Sequence, residues 1–117
     1  MAAGSEPDTY LALLSDPDRE ALIGLGGARR FARGEYLMHQ GEAGDRVLVL
    51  VEGHAKATFV DARGQEAVLS FRGPGDVLGE LSFMHAETRS SGVVAVEPVR
   101  ARALASTQFR AFSEPGL

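Results

Sequence analysis

Cysteine is absent from this chain, and that one absence removes disulfides, thiolate zinc sites, cysteine-ligated iron–sulfur clusters and thiol catalysis. Basic charge is also scarce: 12 Lys and Arg against 16 Asp and Glu leave a net charge of -4. A chain that grips a nucleic acid backbone by itself needs a basic face that exchanges counterions, so direct nucleic acid binding is not expected. No apolar run approaches the ~20 residues of a membrane span. The first ten residues, with Glu6 and Asp8, lack the basic and apolar regions of a secretory signal. Cytoplasmic residence and no membrane partner are the expectations.

What is present fits an ordinary globular domain. The 117 residues, 44% hydrophobic and 24% charged, allow one domain and one hydrophobic core. Residues 1–9 read as a flexible N-terminus and 10–117 as the domain. Tyr10, Leu11, Leu13 and Leu14 form a small apolar cluster, and Asp16 as N-cap with Pro17 after it signals a helix that Gly26 and Gly27 stop.

From Phe31 onward, short apolar runs are punctuated by glycine, an all-β rhythm. Val47 to Val51 is an unbroken apolar run that predicts a strand buried on both faces. Strands are expected at Ala55 to Val60 and Glu66 to Phe71, joined by a hairpin at Asp61-Ala62-Arg63-Gly64. Further strands are expected at Asp76 to Leu78, Ser91 to Val96 and Val99 to Leu104, and a helix at Thr107 to Phe112. Strands at such intervals suggest a sandwich, jelly roll or closed barrel.

The chemistry concentrates in Gly79 to Ser91, where a carboxylate and a guanidinium stand a short loop apart among glycine and hydroxyls. Arg89 can meet a phosphate with a planar fork of donors. Glu80 can accept hydrogen bonds from a sugar hydroxyl. Together they suit a small sugar phosphate, although an isolated Glu/Arg pair is more often a structural ion pair.

The order and spacing of several short motifs weigh against that plainer reading. Phe31-Ala32-Arg33-Gly34-Glu35, Gln40-Gly41-Glu42-Ala43-Gly44-Asp45, Val47 to Gly53, Gly64-Gln65-Glu66, Pro74-Gly75-Asp76-Val77-Leu78-Gly79-Glu80-Leu81 and Thr88-Arg89-Ser90-Ser91 follow one another. In this order the chain resembles the cyclic nucleotide-binding domain, most closely that of the catabolite-activator (CRP/FNR) family of bacterial transcription regulators. The resemblance covers Leu11 to Leu117. It implies a mainly β fold, a jelly-roll-like β-roll or double-stranded β-helix, with short flanking α-helices.

The resemblance also assigns a ligand site, for cyclic AMP or another cyclic nucleotide, with no cofactor, no metal and no catalytic residue. It implies that Arg89 pairs with the cyclic phosphate, that Ser90 and Ser91 flank it with hydroxyl or backbone donors, and that Glu80 binds the ribose 2′-hydroxyl. Gly79, Leu81 and Ser82 would supply backbone contacts at a helix N-terminus suited to an anion. Val68, Leu69 and Phe71 lie in the strand that would pass the base. Thr88 stands where proline often precedes the arginine. Family regulators continue into a dimerisation helix and a helix-turn-helix, both absent from this sequence. DNA contact is therefore expected only through that missing part, and a homodimer only in a full-length protein. The reading is a sensor domain, with a ligand-free dimerisation or docking module as the alternative and a cupin-like metal enzyme as the enzymatic one. His39, His54 and His85 lack the close spacing of a cupin metal site. Arg29, Arg30 and Arg33 read as a solvated basic face, and Gly73-Pro74-Gly75 as a turn rather than a dinucleotide fingerprint.

Overall fold

A computed structural model describes residues 9–39, 46–79 and 92–113. A short 3-10 turn (Leu11–Leu13) and helix α1 (Asp16–Leu25) precede eight strands: β1 (Gly27–Phe31), β2 (Tyr36–Met38), β3 (Arg46–Glu52), β4 (Ala55–Val60), β5 (Glu66–Arg72), β6 (Val77–Leu78), β7 (Gly92–Ala95) and β8 (Val99–Ala105). Helix α2 (Ser106–Ser113) follows. The strands form two antiparallel four-stranded sheets, ordered β1-β8-β3-β6 and β2-β7-β4-β5. The expected mainly β jelly roll with short flanking helices is the fold observed.

β3 explains how a strand with no polar break can sit in a sandwich. Its side chains alternate between faces, and each face has its own core. Leu48 and Leu50 point between the sheets with Phe31, Leu37, Ala55, Val93 and Val99. Val47 and Val49 point to the other side, where Leu11, Leu22, Leu104 and Phe109 bring the 3-10 turn and both helices down on the sheet. The four residues Val47 to Leu50 are accordingly inaccessible to solvent. Tyr10 and Phe109 close this second core with tilted rings 5.6 Å apart.

Two arginines fasten the helical layer. Arg19 donates from Nε to the Leu11 carbonyl at 3.1 Å and from Nη2 to the Leu14 carbonyl at 3.1 Å. Arg102 reaches from β8 to the end of α1, donating to the carbonyls of Ile23 at 2.9 Å and Gly26 at 2.5 Å. The last carbonyls of a helix lack partners within it, and α1 has no basic residue of its own in its last turn. Arg102 supplies what the helix lacks.

One local detail differs from expectation, and two others add to it. Ser15, not Asp16, caps α1: its hydroxyl accepts from the Asp18 N–H at 3.2 Å, which moves Asp16 into the first turn and Pro17 to its second position. Ser and Asp cap equally well, so sequence alone does not choose between neighbours. Gly26 ends α1 in an extended conformation rather than a left-handed one, because the chain runs directly into β1 (Gly27–Phe31). β2 is only three residues long, with a register shift between Tyr36 and Met38 against β7, too brief for an alternation to show.

The β4–β5 hairpin forms at the expected place. Asp61 Oδ1 accepts from the N–H groups of Arg63 at 2.9 Å and Gln65 at 3.0 Å. Asp61 N–H donates to the Gln65 carbonyl at 3.0 Å, and Gly64 takes the positive φ of 82° that closes the turn.

Candidate functional site

The turn Gly73-Pro74-Gly75-Asp76 is tied on three sides. Asp76 Oδ2 accepts from the Gly73 N–H at 2.8 Å. Gly75 N–H donates to the Leu50 carbonyl and Leu50 N–H to the Asp76 carbonyl, each at 2.9 Å, while Leu11 N–H donates to the Gly75 carbonyl at 3.0 Å. From this anchored turn the chain enters β6, where Val77 and Leu78 pair with Val49 and Leu48 of β3. Gly79 follows at φ 95°, a left-handed backbone that glycine adopts without the penalty of a Cβ. The chain turns out of the first sheet there.

The next described residues lie in the second sheet. Gly92 opens β7, whose four residues are all buried, and its cross-strand partner is Thr58 of β4. Thr58 in turn partners Val68 of β5. The two ends of the 80–91 segment are thus fixed on different sheets, at Gly79 and Gly92, and the return end is level with the middle of β5.

Of the residues singled out from sequence, Gly79, Val68, Leu69 and Phe71 are placed. Glu80, Leu81, Ser82, Arg89, Ser90 and Ser91, with Thr88 and His85, lie outside the described residues, as does Gln40-Gly41-Glu42-Ala43-Gly44-Asp45. β5 is an edge strand, and its apolar side chains are open to solvent: Val68 is 49%, Leu69 59% and Phe71 68% exposed. Phe71 lies opposite Lys56, on the outward face, since residues directly opposite in an antiparallel pair share a face.

The inward face of β5 carries polar residues instead. Ser70 pairs with Ala57 and Arg72 with Ala55, both part of the core between the sheets. The alternating Leu69-Ser70-Phe71-Arg72 predicts apolar side chains inward and polar ones outward. The structure reverses that sense, so Ser70 and Arg72 are candidate site residues that sequence reasoning missed. No local signal in β5 could have found them, because which set faces the core depends on the register shift against β4.

The described residues hold no group of three or more His, Cys, Asp or Glu placed to bind a metal. His54 Nδ1 instead lies 2.6 Å from Glu97 Oε2 at the surface. His39 stacks on Tyr36, with ring centroids 4.8 Å apart. Among the described residues no helix is long and apolar enough to cross a membrane.

A jelly roll of two four-stranded sheets with flanking helices defines a class that the sequence comparison identifies. Residues 28–114 match the model of the cyclic nucleotide-binding domain, and the chain belongs to that family. It is 35% identical over 71 residues to a CRP-like cAMP-activated global transcriptional regulator of Mycobacterium tuberculosis, an overlap of 61% of this chain and 32% of that protein. The catabolite activator protein of Thermus thermophilus superposes with a TM-score of 0.78 at 25% identity, covering 88% of this chain and 48% of that one. The regulatory subunit of a cAMP-independent protein kinase A from Trypanosoma cruzi, bound to guanosine, superposes with a TM-score of 0.77 at 27% identity, covering 91% and 38%. The chain therefore spans about a third of its bacterial sequence relative, and its relatives include both transcription regulators and kinase regulatory subunits.

Proposed function

We infer that this chain is a cyclic nucleotide sensor, holding the ligand with the segment from Gly79 to Ser91 and reporting occupancy to an output domain of a transcription regulator. The observation that carries this reading is the strand-anchored segment between Gly79 and Gly92 in a domain of this family, with Glu80 and Arg89 as its charged members. In that role Arg89 forks onto the cyclic phosphate, Glu80 accepts from the ribose 2′-hydroxyl, and Gly79, Leu81, Ser82, Ser90 and Ser91 add backbone and hydroxyl contacts. Leu69 and Phe71 are exposed on β5, and Phe71, on its outward face, is apolar surface available to an element that closes over the domain rather than to the base.

Cyclic AMP is the first ligand to test, because it names the activator of the mycobacterial relative. In this reading the site binds without catalysis: its guanidinium, carboxylate and hydroxyls hold the phosphodiester and the ribose by charge and hydrogen bonds. Signalling then requires the ligand to favour one arrangement of the domain and its neighbouring elements over another. DNA contact belongs to a separate domain, the working form is a homodimer, and the compartment is the cytoplasm. Titration calorimetry with cyclic AMP and cyclic GMP tests the reading. Saturable binding with 1:1 stoichiometry is expected. The absence of heat at millimolar concentrations of both would leave a docking module that has kept the fold and lost its ligand.

A further inference from the structure

We propose that Arg72 reads the base of the bound nucleotide and favours a purine with an oxygen at C6. This rests on the cyclic nucleotide reading above and narrows it. Arg72 ends β5 opposite the fully buried Ala55, on the face turned toward the core between the sheets. Its Nε is buried and, among the described residues, has no hydrogen-bond partner, while the side chain as a whole is partly exposed. A guanidinium cannot shed its charge at any accessible pH, so a desolvated N–H on it stays a donor in want of an acceptor. The two acids nearest along the chain are engaged elsewhere. Asp76 accepts from the Gly73 N–H at 2.8 Å and Glu66 lies 3.6 Å from Lys56.

The chemistry of the missing acceptor follows from the shape of the donor. Arginine presents N–H groups side by side, and it is satisfied best by two acceptors at matching spacing. A 6-oxopurine offers that pair as O6 and N7, whereas adenine places an amino donor beside N7, which faces donor with donor. Ser70, on the same inward face two residues earlier, can donate or accept and so excludes neither base. Arg72 is thereby the discriminating group, and Ser70 the permissive one.

The test measures affinities of the wild-type protein, Arg72→Leu and Arg72→Lys for cyclic AMP, cyclic GMP and cyclic IMP, with thermal melts of each variant. Cyclic IMP carries the 6-oxygen without the 2-amino group of guanine and so isolates the contact. Arg72→Leu should weaken cyclic GMP and cyclic IMP together by roughly 5- to 150-fold, the range of one bidentate base contact, and change cyclic AMP by less than about twofold. Arg72→Lys, which keeps charge without the fork, should recover at most a small part of that loss. An equal loss for all three ligands would make Arg72 a structural brace, and no loss for any would remove it from the site. Binding of cyclic AMP alone by the wild type would overturn the proposal while leaving the sensor reading intact. Failure of all three nucleotides to bind would overturn both.

Discussion

In the proposed site Arg89 and Glu80 divide the ligand between them, and single substitutions separate their contributions. Hydrogen bonds to charged groups contribute about 1.5–3 kcal/mol each, so Arg89→Ala should lower cyclic nucleotide affinity by roughly 10- to 150-fold. Its melting temperature without ligand should stay within a few degrees of wild type, because the contact proposed for Arg89 is to the ligand. Calorimetry beside a thermal melt checks both halves. Glu80→Ala should instead compress the preference for cyclic AMP over 2′-deoxy cyclic AMP by roughly tenfold. An unchanged ratio would place the hydroxyl reader elsewhere. As proposed site residues these two were legible in sequence, because their types and spacing suit that chemistry. Arg72 and Ser70 were not: whether Leu69-Ser70-Phe71-Arg72 turns its polar side inward depends on a register shift opposite Ala57 and Thr58 of β4, and nothing local to β5 encodes it.

At the level of elements, the long strands and the hairpin were readable, since Val47 to Val51 and Asp61 to Gly64 carry strong local signals. β1 and β2 were hidden. β1 is Gly-Ala-Arg-Arg-Phe, and four of its five residues are exposed, so it pairs with β8 through backbone hydrogen bonds rather than an apolar pattern. The tie between α1 and β8 is another long-range feature beyond the reach of periodicity. Arg102→Ala would leave the carbonyls of Ile23 and Gly26 without these donors. The expected cost is about 1–3 kcal/mol of folding stability. Ligand affinity should barely change, which denaturant unfolding and a binding titration would show side by side. Gly53 is a stricter case. At φ 87°, a Cβ there would stand 2.1 Å from the Pro98 carbonyl oxygen, so Gly53→Ala must distort the β3–β4 connection and lower the denaturation midpoint more than Arg102→Ala does.

For the molecule as a whole, binding and folding are linked. A ligand at a hundred times its dissociation constant adds about 2.7 kcal/mol to the stability of a protein that binds it only when folded. A cyclic nucleotide should accordingly raise the melting temperature by several degrees, and in Arg89→Ala that rise should largely vanish at the same concentration. β3 gives this linkage a particular form, because its alternate side chains belong to the core between the sheets and to the core beneath the helices. Loss of either core would strip one face of this strand of its packing. The backbone amides of Val47 to Leu50 should therefore exchange with solvent only when the entire domain opens, and their protection would read global stability directly.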